Sequence, residues 1–283
     1  MIRFPSVAAL AVVVLCLLAA SSLAVQVAYI TPLPPLDGPA EDKPAAPDEI
    51  EKLVDESWWY EPDYWYGPLW SGAFELGING SSGNADSLSL RAGANMKRET
   101  LVHTLTVKAT HAKTSAAGIE TQNNALGDVK LERHFGESPW SLFVTGSLEY
   151  DEFKAFDLRL ASAMGLGFRF IDNDSITLAS RFGAGVSQEI GGPDDRYVPE
   201  AVFGLDYEHR LSERQRLTAK VDYLPDWGDF MNYRVVTEAG WEVLLDEDSN
   251  LNLKIAFIDR YDSTPNGRQP NDFDYSVLLL WKF

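Results

Sequence analysis

From Trp70 to Phe283 the chain repeats one pattern, in which apolar residues take every second position, a connection intervenes, and the alternation resumes. A period of two is the signature of a strand with one apolar and one polar face. The first segment sets Trp70, Phe74, Leu76 and Ile78 against Ser71, Ala73, Glu75 and Gly77. The second sets Leu88, Leu90, Ala92, Ala94 and Met96 against Ser89, Arg91, Asn95 and Lys97. Further segments cover about 100–111, 121–135, 140–150, 158–170, 176–186, 200–211, 216–224, 233–245 and 250–259. The last, 272–283, is the cleanest: Phe273, Tyr275, Val277, Leu279, Trp281 and Phe283 share one face, with Asp274, Ser276 and Lys282 on the other.

The connections alternate as well. Residues 80–86, 112–120, 151–157, 191–199, 225–232 and 260–271 are expected as long loops, and Glu99, 136–139, 172–175, 212–215 and 246–249 as short turns. An even number of strands with long loops on one side and short turns on the other predicts an all-β fold. It is an antiparallel up-and-down transmembrane β-barrel of about twelve strands. The segments match the roughly 9–11 residues that a tilted strand needs to cross hydrocarbon. Soluble β-sandwiches also alternate. Lipid is favoured here by the aromatics Trp140, Phe170, Tyr223 and Trp241 near segment ends, by charges of both signs on the opposite face, and by the aromatic Phe283 at the terminus.

What precedes the barrel is of another kind. Arg3, the apolar run Val7–Ala20 and the small residues Ser22 and Ala24 read as a signal peptide over 1–24. A retained anchor helix is the rival reading. No apolar run beyond Ala28 is long enough for a membrane helix. Arg3 is the leader's only charged residue, so its removal takes the net charge from −18 to −19. That acidity excludes a general nucleic-acid binder, which carries a basic footprint. The single cysteine, Cys16, falls in the leader, so the remainder forms neither a disulfide nor a cysteine zinc site.

Residues 25–69 form a second region, acidic and rich in proline and aromatics. Pro32 to Pro47 read as an extended linker, and Asp48 with Glu51 as a capping box for a short helix near 48–57. Between 31 and 66 ten acids face only Lys43 and Lys52. The cluster Trp58, Trp59, Tyr60, Tyr64, Trp65, Tyr66 and Trp70 suits an interfacial belt or a plug beside the barrel mouth better than sugar stacking or docking of a partner. Residues 31–66 are thus expected to plug the barrel or meet a periplasmic partner.

On the polar face the alternation places Arg91, Lys97, Lys108, Lys130, Arg159, Arg169, Arg181, Arg210, Lys220, Arg234 and Lys254. With them stand Glu75, Asp128, Glu132, Glu149, Asp206, Glu208, Asp222, Glu238, Glu242 and Asp274. A strongly selective pore shows one dominant sign. This near-balance predicts ion pairs across a narrow lumen. A wall enzyme would need a nucleophile, a base and an orienting group. His103, His111 and His209 fall near the lipid-facing rows and His134 beside a turn. The one local pairing, His111 with Ser115, is expected in a flexible loop, as a solvated residue. No catalytic residues, cofactor or metal site are expected. The acids Asp151, Glu152, Asp157, Asp194, Asp195, Asp226, Asp229, Asp259, Asp262 and Asp272 read as a solvated rim, since they lack the spacing of a calcium loop.

The stretch Trp70–Asp86, with its Ser-Gly-Asn-Ala-Asp turn, resembles the opening hairpin of the salt-induced outer-membrane proteins, a family otherwise called a domain of unknown function. Leu148–Arg159, followed by Gly165-Leu-Gly167, resembles its central hairpin. The resemblance covers roughly 70–283 and implies an outer-membrane location without established chemistry. The last segment also resembles the signal read by the barrel-assembly machinery, with Tyr275, Trp281 and Phe283 in its aromatic places and Leu278 where glycine is common. Outer-membrane lipids and that machinery are the implied partners. The expected role is envelope adaptation or a narrow, weakly selective solute channel. A non-conducting scaffold barrel comes second and a lipid-modifying barrel-wall enzyme third.

Overall fold

A strand with one greasy face and one charged face satisfies its backbone in lipid only if its sheet closes on itself. The computed structural model describes residues 69–81, 87–193 and 195–283, and shows that closure. The strands are β1 (Trp70–Ser81), β2 (Ser87–Glu99), β3 (His103–Ala116), β4 (Ile119–His134), β5 (Trp140–Asp151) and β6 (Leu158–Asp172). They continue as β7 (Ile176–Ile190), β8 (Tyr197–Ser212), β9 (Gln215–Pro225), β10 (Tyr233–Asp246), β11 (Leu251–Asp262) and β12 (Asn271–Lys282). Each pairs antiparallel with the next, and β12 returns to β1. The signal peptide, the proline linker, the helix near 48–57, the aromatic cluster Trp58–Tyr66 and the Ser-Gly-Asn-Ala-Asp turn lie outside the described residues.

The apolar rows face outward. Phe74, Leu76, Ile78, Met164, Val277, Leu279 and Trp281 are all exposed on the outer wall. Aromatics ring both ends of it. On the side of the short turns Trp140 meets Phe168 edge-on at 4.8 Å and Phe168 meets Phe170 at 5.0 Å. On the side of the long loops Tyr223, Tyr233 and Tyr261 follow one another at 5.5 and 5.7 Å. An apolar band between two aromatic girdles is the outer surface of a transmembrane barrel. Tyr275, Trp281 and Phe283 all belong to it.

Two expectations about connections need correction. Residues 112–120 are not a long loop: β3 and β4 run on to a turn at Ala117 and Gly118, whose φ of 50° and 77° are the left-handed pair of a tight hairpin. His111 accordingly lies within β3, hydrogen-bonded to Asn123 at 3.2 Å, and not in a flexible loop beside Ser115. Outward-facing Lys113 pairs with Glu120 at 2.7 Å, so the hairpin carries polar residues on its outer face there and loses the apolar mark of a strand.

Sheet curvature is set where side chains vanish. Gly165 on β6 and Gly183 on β7 stand opposite each other. A Cβ on Gly165 would fall 2.2 Å from the Phe182 carbonyl oxygen, and one on Gly183 2.2 Å from that of Met164. Phe143, the register partner of Gly165, is fully buried beside this bare patch. An aromatic over facing glycines restores the packing that the glycines give up.

Candidate functional site

The site is the lumen, and the inward rows are its lining. Strand pairing puts register partners on the same side, so the inward set can be followed from strand to strand. Glu75 leads to Leu280, Leu280 to Asn252, and Leu278 to Lys254. Cavities adjoin from one mouth to the other by sharing walls. One of about 470 Å³ at the turn side shares Arg216 and Glu242 with one of about 400 Å³. That second cavity shares Lys108, Asp206, Lys220 and Glu238 with one of about 350 Å³ at mid-barrel. The mid-barrel cavity shares Glu149, Arg159, Arg234 and Arg260 with a loop-side vestibule of about 550 Å³.

Three ion-pair clusters occupy the wall. At the loop side Arg159 touches Glu189, Asp262 at 3.0 Å and Glu149 at 3.4 Å. Its guanidinium lies 4.4 Å from the ring centre of Phe156, which is only 5% exposed although it sits in the β5–β6 connection. Lys154 of the same connection holds Glu149 at 3.0 Å and Asp272 at 3.3 Å. The connection is therefore folded inward, placing Phe156 and Lys154 in the lumen beside Arg159 of β6. Beside it Arg234 forks onto Glu200 at 2.7 and 2.8 Å, and Ser187 donates to the same carboxylate at 2.8 Å.

At mid-barrel Arg181 donates to Asp206 at 2.6 Å and Asp222 at 2.8 Å, while Lys220 bridges Asp222 at 2.9 Å and Glu238 at 3.3 Å. Lys254 and Glu75 meet at 2.8 Å on the facing wall. Toward the turn side Glu242 accepts from Arg216 at 2.8 Å and Lys282 at 2.6 Å, and Arg216 reaches Glu208 at 3.3 Å. A paired charge lining water keeps its partner close, because an unpaired one in a half-dry wall costs more than the pair gains.

Of the residues singled out in the sequence, Arg159, Arg181, Glu149, Asp206, Glu208, Glu238 and Glu242 enter these clusters. Arg169 pairs instead with Asp172 at the turn-side rim. Arg91 and Arg210 face inward without an ion pair among the described residues. His134 turns inward to Thr104 at 2.9 Å, and His209 meets the Tyr207 hydroxyl at 3.0 Å. The loop acids do not form one solvated rim: Asp226 is buried, Asp262 and Asp272 pair with Arg159 and Lys154, and the carboxylates of Asp151, Asp229 and Asp262 accept from the backbone amides two residues on, at 3.0, 3.0 and 2.9 Å. Among the described residues no group of three or more His, Cys, Asp or Glu is placed to hold a metal.

The sequence reading missed Lys154, Glu189, Glu200, Arg216 and Lys282 as members of the network. Glu200, Arg216 and Lys282 were open to the same alternation that found the others. It also missed inward apolar residues: Phe143, Leu278 and Leu280, each at most 1% exposed, narrow the lumen near its turn side.

The family model described as "Protein of unknown function, DUF481" matches residues 74–283. Among solved structures the chain is similar to the KdgM porin in complex with disordered oligogalacturonate, at 13% identity over 75% of this chain and 99% of that one, with a TM-score of 0.41. It is also similar to the NanC porin, at 9% identity over 75% and 98%, with a TM-score of 0.45. For the outer membrane channel DcaP of Acinetobacter baumannii the values are 10%, 75%, 95% and 0.36. At these TM-scores the likeness adds nothing to the barrel already described. No curated protein matches the sequence.

Proposed function

The chain belongs to the DUF481 family of unknown function, and we propose that it is an outer-membrane channel, narrow and weakly selective, for small hydrophilic solutes. The observation that carries this reading is the run of adjoining polar cavities from the turn-side mouth to the loop-side vestibule, each sharing lining residues with the next. The paired lining supports weak selectivity. At mid-barrel seven bases stand with six acids, and a wall of mixed sign gives neither cation nor anion a continuous advantage. Arg159, which lines both the mid-barrel cavity and the loop-side vestibule, and Phe156 against it constrict the loop side. The short turns face the periplasm and the long loops the exterior, as in other bacterial barrels. The barrel-assembly machinery inserts the chain through Tyr275, Trp281 and Phe283. A part in envelope adaptation to salt rests on the sequence resemblance of 70–86 and 148–167.

A closed scaffold is the second reading. It draws on the bonds that cross the lumen, Arg159 to Asp262 and Gln122 to Asp274 at 3.0 Å. Single-channel recording of the folded full chain in planar bilayers separates the two. A small steady conductance with a reversal potential near zero in a salt gradient is expected of the channel. Silence from protein that keeps its heat-modifiable migration would overturn it in favour of the scaffold.

A further inference from the structure

Charge is balanced along the lumen except at one end. The cavity at the turn-side mouth is lined by Lys97, Arg210, Arg214, Arg216 and Lys282 against only Glu213 and Glu242. The next cavity inward has five bases and five acids, so the excess belongs to the mouth alone. Glu242 is already shared by Arg216 and Lys282. Arg210 and Arg214 are exposed and make no ion pair among the described residues. Their backbones are nonetheless fixed at the rim: the Arg210 amide donates to the Ser175 carbonyl at 2.7 Å, and the Arg214 carbonyl accepts from Leu244 at 2.8 Å. The neighbouring turn acids cancel this excess at Lys97 alone and leave it on Arg210 and Arg214. Glu99 is held by Lys97 at 2.6 Å, and the exposed Glu247 and Asp248 do not line the cavity.

The same end is where the acidic part of the chain is attached. Trp70 opens β1 opposite Arg98, beside the β2–β3 turn, and the Leu69 carbonyl accepts from the Glu99 amide at 3.2 Å. Residues 31–66 carry ten acids and two lysines, and Tyr66 is joined to Trp70 by a span of at most about 14 Å. We propose that this segment docks in the turn-side mouth of its own barrel, its carboxylates on Arg210 and Arg214. A tether this short holds the acids at an effective concentration on the order of millimolar, so pairs that are individually weak suffice. The docking needs no conduction through the lumen and stands or falls separately from the channel reading.

Hydrogen exchange read by mass spectrometry on the folded full chain tests this. At low ionic strength residues 31–66 are expected to exchange about tenfold more slowly than in the Arg210→Glu/Arg214→Glu variant. The protection is expected to fade as salt screens the pairs. Both substitutions are at exposed rim positions, and heat-modifiable migration verifies that the barrel is intact. Adding Asp48→Lys, Glu49→Lys and Glu51→Lys to the double variant is expected to restore protection. Equal exchange in wild type and double variant would overturn the docking, and so would protection that the charge swap fails to restore.

Discussion

Arg159 on β6 and Asp262 on β11 meet at 3.0 Å from opposite sides of the barrel, so one guanidinium ties walls that sequence separates by 103 residues. Glu149 and Glu189 share the same cation, and Phe156 lies against its face. Arg159 is thus the hub of the loop-side constriction: three carboxylates meet on it, of which Glu149 is also held by Lys154.

Replacing Arg159 by Gln therefore acts on passage and stability together. The freed carboxylates repel, the β5–β6 connection loses its anchor, and the constriction opens. Single-channel conductance is expected to rise and its ion preference to move toward cations. Removing one partner of a buried ion pair costs about 3 kcal/mol. The midpoint of heat-modifiable migration is expected to fall accordingly. A variant that is as stable as wild type and conducts identically would remove Arg159 from the constriction.

Selectivity can be probed without breaking a pair. Lys108 projects from β3 into the mid-barrel cavity and has no ion pair among the described residues. Lys108→Gln leaves no carboxylate stranded in a bonded pair, yet removes one positive charge from a nearly balanced wall. Reversal potentials in a salt gradient are expected to shift toward cation preference with stability unchanged. No shift would mean that ions do not pass this part of the lumen.

The facing glycines give a sharper structural test. Gly165→Ala places a Cβ 2.6 Å from the Gly183 Cα as well as against the Phe182 carbonyl, all backbone that cannot step aside. Overpacking of this kind costs about 1–3 kcal/mol or more. Assembly yield and thermal midpoint are expected to fall. Gly127→Ala is the control, because nothing lies within 4 Å of the Cβ it would add. Similar losses in both would point to a general sensitivity of the barrel and away from the β6–β7 contact.

How much of this was legible depended on where each side chain meets solvent. In β12 the outer face is lipid and the inner face is mostly polar, so Phe273 to Phe283 announce a strand without ambiguity. At the tip of the β3–β4 hairpin the outward positions include His111 and Lys113, and alternation in apolarity disappears although the strand continues. The inward Leu278 and Leu280 were passed over for another reason: the even positions of β12 put them on the inner face, but that face was searched for charges, and apolar residues on it carry no such mark. Phe156 gave no strand signal because it belongs to a connection. Its burial depends on Arg159, three residues on, and on Gly192 beyond β7, contacts that no alternation marks.

Closure itself rests on a short seam. β1 and β12 share four register pairs, from Ala73 with Lys282 to Leu76 with Leu279, whereas β1 and β2 share twelve. Phe283 extends the seam by exchanging two backbone hydrogen bonds of 3.0 Å with Gly72. Its ring lies over Gly72, where a Cβ would come within 2.6 Å of it, and 5.4 Å from Phe74. Phe283→Ala keeps the backbone bonds and removes the ring that covers them on the lipid side. Losing an aromatic contact of this kind costs about 0.5–1.5 kcal/mol beyond the area exposed. Thermal unfolding is expected to begin at a lower temperature, with hydrogen exchange rising first along Gly72–Leu76. Gly72→Ala is expected to cost more than the loss of the ring, because its Cβ would also fall 2.7 Å from the Asn95 carbonyl oxygen. An early rise in exchange elsewhere on the barrel, with the seam still protected, would show that another strand pair gives way first.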